Sequence, residues 1–294
     1  MKKVGIYLFL TAFLFGTMEV ALKLAGADMD NLQLTFLRFF VGGLLLLPFA
    51  AAELKKQHIH IDPRDLLYLL YLGVLCIPVS MLAFQVGVMN SNASTASVIM
   101  SLNPLFTMVF AHFLTDEKFT RKKGVVLLVG MVGLLFMVRP WDIQGGNTFY
   151  GIFMMIIAAS TFGLYTVSAK KSITTVGIMA QTSISFIMGS LVLLVIMLIM
   201  GRPVMDGVLE NWKLILYISL FVTGLGYYFY FMAIKYSDAV TGSIAFFIKP
   251  AIAPVIAVIV LHEHILWNTY LGIALVLAAS FYNIASKKKQ VKPC

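Results

Sequence analysis

Cysteine is nearly absent from this chain. Of 294 residues only Cys76, inside an apolar run, and Cys294, the last residue, carry a thiol. That excludes a disulfide framework and redox chemistry, and no cysteine pair has the spacing of a zinc module. Charge is as scarce, at 12% of residues against about 25% in an ordinary globular domain. No G-x-x-x-x-G-K-[ST] run occurs, so the chain has no phosphate-cradling loop for ATP. Long polar connections are also missing. No loop exceeds roughly a dozen residues, which leaves no room for a soluble domain. His58 with His60, and His262 with His264, stand two apart, which does not place either pair on one helical face. No metal and no cofactor is therefore expected.

What fills the chain instead is apolar sequence, 60% of all residues. Ten segments of roughly 17 to 25 residues, the length a helix needs to cross a hydrocarbon core, can be drawn near 4–25, 33–52, 66–88, 93–115, 121–138, 149–169, 177–200, 212–233, 239–261 and 269–286. The expected fold class is an all-α membrane protein with ten transmembrane helices, its partner the lipid bilayer. Glu19 and Lys23 interrupt the first segment, which reads as a retained helix and not a cleaved signal. The formal net charge of +9 is not read as a nucleic-acid surface, because the basic residues lie in short loops and at the two ends. With the N-terminus inside, 16 lysines and arginines fall on the cytoplasmic side and three, Arg139, Arg202 and Lys213, on the other, so both termini are placed in the cytoplasm. Trp141, Trp212 and Trp267 then fall near the outer interface, where indoles concentrate.

The chain repeats itself. SLNPLFTMVFAHFLTDE (101–117) and the stretch ending KPAIAPVIAVIVLHE share Pro104 with Pro250 and Glu117 with Glu263, each pair 146 residues apart, and Ala93/Ala239 and Ser97/Ser243 keep the same interval. Phe15, Gly16 and Lys23 fall on Phe162, Gly163 and Lys170 one residue further along. Ordered identities of this kind mark a duplication, dividing the chain into 1–147 and 148–294. Five helices per half is an odd number, so the two repeats are expected to be inverted, an architecture that places a substrate site at midplane between the repeats.

The FG pair with a downstream lysine in the first helix of each half, the arginine of FLRFF and the matched proline-to-glutamate spacings together resemble the EamA branch of the drug/metabolite transporter superfamily. That resemblance covers nearly the whole chain. It implies a secondary transporter of small metabolites, amino acids prominent among them, often exporting them across a bacterial inner (plasma) membrane. Glu19 departs from the uncharged residue expected at its position.

Lys249 is the residue that asks most of the fold. A lysine at the centre of a transmembrane helix costs about 2.5–3.5 kcal/mol on insertion scales, so something polar must face it. Glu19 and Lys23, four apart on one helical face, are able to pair, and Arg38 enters the second helix at a similar depth. These charges are expected to ring one cavity. In it Lys249 takes a substrate carboxylate and Glu19 an ammonium, while Asn103 and Gln85 supply neutral hydrogen bonds. Alternatively Glu19 carries a proton, which makes protons a second partner. Tyr165, Tyr227 and Phe231 are candidate apolar lining, although ordinary helix packing is the simpler explanation of them. Pro104 and Pro250, which lack an N–H and open the helix around them, are the candidate hinges. The assembly is a monomer or a dimer. Rival readings are a membrane-embedded enzyme acting on lipid, for which a catalytic constellation is missing, and a channel or uptake permease for the same solutes.

Overall fold

The computed structural model describes residues 2–115 and 146–262, and in part 124–136 and 267–278. Every regular element among them is helical. Seven helices among the described residues are long and apolar enough to span a bilayer: α1 (Lys3–Ala25, with a turn at Thr17), α2 (Asn31–Gln57), α3 (Pro63–Met89), α4 (Ala93–Leu114), α5 (Phe149–Thr175), α6 (Ile178–Ile199) and α7 (Val208–Lys235). An eighth, α8, is made of Ala239–Ser243 and Ala245–Leu261. Their outer surfaces are apolar, with Phe9, Phe49, Leu67, Phe113, Phe153 and Ile259 exposed, as a lipid solvent demands. The fifth and tenth expected spans, with Glu117, Glu263 and Trp141, lie wholly or largely outside the described residues. Trp212 and Trp267 are exposed.

Local chemistry sets the helix ends. The Asp30 carboxylate accepts from the Leu32 and Gln33 amides at 2.9 and 3.4 Å and starts α2, which stops at His58 in a left-handed conformation, φ 53°. Pro63, which has no amide to lose, opens α3 behind an Asp62–Asp65 capping box. Both α3 and α7 widen into a π-helical stretch, Leu75–Met81 in one and Ile218–Leu225 in the other. Corresponding helices of the two halves thus carry the same irregularity.

The halves interleave. α1 packs on α7 and α8, while α5 packs on α3 and α4. Glycines at matching positions permit this. A Cβ at Gly16 would meet Ile252, and one at Gly163 would meet Phe106 and Thr107. Likewise Gly42 lies against Ser219 and Thr223 of α7, and Gly189, 147 residues later, lies against Gly73 of α3. Close backbone approach at small residues is what holds helices together where lipid removes the usual hydrophobic drive.

The two second helices, α2 and α6, lie side by side and run in opposite senses. Phe39 touches Phe186 at 4.8 Å between ring centroids, and the Ser183 hydroxyl donates to the Gly43 carbonyl at 2.8 Å. Further on, the Glu53 carboxylate accepts from the amides of Ile178, Met179 and Ala180 at 3.3, 2.7 and 3.2 Å. As numbers rise along α2 they fall along α6.

Glu53 therefore caps the first turn of a helix in the other half, where unpaired amides and the helix dipole both favour a negative charge. Gly177, at φ +93°, makes room for it, since a Cβ there would sit 2.5 Å from the Glu53 Cδ. Glu53→Ala leaves those amides without an acceptor. The expected result is a loss of about 1–3 kcal/mol, read as an earlier thermal unfolding midpoint in detergent. An unmoved midpoint would mean that water replaces the carboxylate at no cost.

Candidate functional site

Lys249 sits five residues into the second piece of α8, and its Nζ donates to Oε1 of Glu19 in α1. Neither side chain has any exposed surface. The rings of Phe84 and Phe246 flank the ammonium at 5.4 and 5.7 Å. The pair joins the first helix of one repeat to the fourth helix of the other. A buried pair of this kind survives only because each partner offsets the other's desolvation penalty.

Arg38, also fully buried, lies close enough to interact electrostatically with both Glu19 and Lys249. Its Nη1 meets the Met18 sulfur at 3.8 Å and its guanidinium lies 4.5 Å from the centre of the Phe39 ring. Nε and Nη2 of Arg38 and Oε2 of Glu19 have no hydrogen-bond partner among the described residues.

An aromatic cluster closes over the charges. Tyr227 of α7 is its hub, with ring centroids 5.3 Å from Phe15, 5.9 Å from Phe39, 5.9 Å from Phe162 and 4.9 Å from Phe186. Phe15/Phe162 and Phe39/Phe186 are each 147 residues apart, so two symmetry-related pairs surround one tyrosine. The Tyr227 hydroxyl is 4.0 Å from the Cys76 sulfur, which places the π-helical stretch of α3 beside the site. Such stretches occur often at functional sites.

Of the residues singled out from the sequence, Lys249, Glu19, Arg38 and Tyr227 are brought together. Tyr165 and Phe231 are buried against each other at 5.9 Å, and the Tyr165 hydroxyl accepts from Gln181. Asn103 is committed elsewhere, its Nδ2 donating to the Ala159 carbonyl at 3.1 Å and its oxygen accepting from Thr107. Gln85 donates to Asn31 at 3.3 Å, and its Oε1 has no partner among the described residues. The Glu19–Lys23 pairing gives way to Glu19–Lys249, and Lys23 donates to the Ser91 carbonyl at 2.8 Å. The helix breaks lie upstream of the prolines, two residues before Pro104 and six before Pro250. α4 is interrupted at Ser101–Leu102 with Pro104 opening the next turn, while α8 is interrupted at Ile244 and Pro250 lies inside the helix that follows. The site side chains are sealed from solvent. A cavity of about 370 Å³ opens elsewhere, between Tyr68, Leu114, Thr115, Lys170, Lys171 and Thr174.

Sequence reasoning passed over the flanking rings Phe39, Phe186, Phe84 and Phe246. For the first two a signal existed, since they keep the same 147-residue interval as the FG pairs. For Phe84 and Phe246 none did.

Apolar spans around charges gathered between two interleaved repeats define a multi-pass membrane protein whose polar centre lies inside the bundle. The EamA-like transporter family matches the chain twice, over residues 2–139 and 149–285, and the chain belongs to that family. A transporter of Clostridium kluyveri, itself uncharacterised, is 35% identical over 98% of this chain and 95% of its own length. The S-adenosylmethionine uptake transporter of Rickettsia prowazekii is 25% identical over 93% of this chain and 89% of its own. A solved crystal structure superimposes with a TM-score of 0.75 at 15% identity, covering 99% of this chain and 100% of that one, a likeness of fold alone. Family and relatives are transporters, not enzymes.

Proposed function

We propose that this protein is a secondary transporter that moves a small organic metabolite, an amino acid or a close relative, out of the cell by alternating access. Its ten helices form two inverted five-helix repeats in the inner or plasma membrane, with both termini cytoplasmic. The observation that carries this reading is the buried Glu19–Lys249 pair. Because its partners come from different repeats, any rocking of one repeat against the other opens the pair toward one side of the membrane, and its closed form is the occluded state.

The antiparallel run of α2 against α6 supports the inversion, and the charge bias of the loops supports the orientation. Pro104 and Pro250 are the hinges, each downstream of a helix interruption, at Ser101–Leu102 and at Ile244. S-adenosylmethionine, the solute named for the Rickettsia relative, is itself an α-amino acid, which favours that head group here. Glu19 is the residue through which a proton would be coupled.

Counterflow in proteoliposomes tests the reading. Purified protein preloaded with unlabelled amino acids is expected to take up the labelled ones saturably, and faster than unloaded vesicles do. Linear, non-saturating flux would make the protein a channel. Flux equal to that of protein-free vesicles across the panel would remove the reading.

A further inference from the structure

Resting on that reading, we infer that Arg38, and not Lys249, is the anchor for a carboxylate on the transported solute. The charges at the site do not balance. Among the described residues, one acid, Glu19, and two cations, Lys249 and Arg38, stand around it, all without exposed surface. Glu19 is committed through Oε1 to Lys249, and no carboxylate lies within ion-pair distance of Arg38 among the described residues. A buried guanidinium to which no carboxylate is bonded is among the least favourable arrangements a fold can hold. Its present neighbours, a thioether and an aromatic face, soften the field but carry no negative charge.

Which donors are left idle narrows the missing partner. Nε and Nη2 lie along one edge of the planar guanidinium and point their hydrogens the same way, and these are the two Arg38 nitrogens without an acceptor among the described residues. Two parallel donors match the two oxygens of a carboxylate, and a lone carbonyl or hydroxyl would satisfy only one of them. Oε2 of Glu19 likewise has no hydrogen-bond partner among the described residues. It is the acceptor for an ammonium on the same solute, so the idle groups complement both ends of an α-amino acid. The rings of Phe39, Tyr227 and Phe186 then receive its apolar part, since Arg38 lies over Phe39, whose ring meets both of the others. Lys249, paired within the protein, positions Glu19.

The test compares each L-amino acid with its own amide as competitors of flux in the same proteoliposomes, which changes the carboxylate and leaves the rest of the solute in place. For wild type the acid is expected to compete roughly tenfold or more better than the amide, as loss of a charged bidentate contact implies. Arg38→Gln brings the two to parity. Arg38→Lys keeps the charge without the fork and retains a weakened preference. Should Arg38→Gln fail to fold, Arg38→Lys decides, since a preference for the acid undiminished from wild type would mean that Arg38 does not hold the carboxylate. Saturable flux in which acid and amide compete equally would overturn the role of Arg38 while leaving the transporter standing. No saturable flux of any probe would sink both.

Discussion

Lys249→Met is expected to abolish transport and to destabilise the protein by about 3–5 kcal/mol, the cost of leaving one member of a buried ion pair without its partner. The cause is Glu19. With its partner gone, the carboxylate remains sealed among Phe84, Phe246 and neighbouring helices with no exposed surface. Glu19→Gln alone strands the ammonium in the same way. The double variant Glu19→Gln with Lys249→Met removes both charges, and replacement of a buried pair by neutral groups of similar volume is often tolerated. It should recover monodisperse, cooperatively unfolding protein in detergent and still fail to transport. The contrast separates a structural from a transport role. If the double variant transports normally, the pair is packing and the site lies elsewhere.

The second large effect comes from a position with no side chain. At Gly189 of α6 an added Cβ would stand 2.5 Å from the Gly73 carbonyl carbon and 2.8 Å from its Cα, and no rotamer relieves a clash between backbones. Gly189→Val must separate α6 from α3. That shifts Phe186 off Tyr227 and moves the π-helical stretch that holds Cys76. Overpacking in a tight interior costs roughly 1–3 kcal/mol and more when backbone must move, so little folded protein is expected by size-exclusion chromatography. Gly5→Ala is the control. Nothing lies within 4 Å of its Cβ position, and the change should fall within about 0.5 kcal/mol of wild type. Equal yields of the two variants would show that α3 and α6 do not cross as closely as the structure places them.

Much of this was legible in residue order. The apolar segments that produced α1 to α8 match in position, because the thickness of the hydrocarbon core sets a minimum helix length. The 146–147-residue interval announced the duplication, and the packing bears the mark of it. Phe15 and Phe162 both meet Tyr227, and Gly16 and Gly163 each lie against the fourth helix of a repeat. Lys249, Glu19 and Arg38 stood out because charge in such a setting is rare. Residues one turn apart predict a local pair of Glu19 with Lys23, yet the i,i+4 relation yields to a partner 230 residues away.

Hydropathy and periodicity are short-range properties, so the order of residues alone determined which stretches are apolar helices, that they come in two related sets, and that three buried charges need company. It did not determine the company. Which helix faces touch follows from where glycines let backbones close, at Gly16 on α8, Gly42 on α7 and Gly189 on α3. Those contacts, made between segments far apart in the chain, are what brought Lys249 to Glu19 and left two Arg38 donors without an acceptor among the described residues.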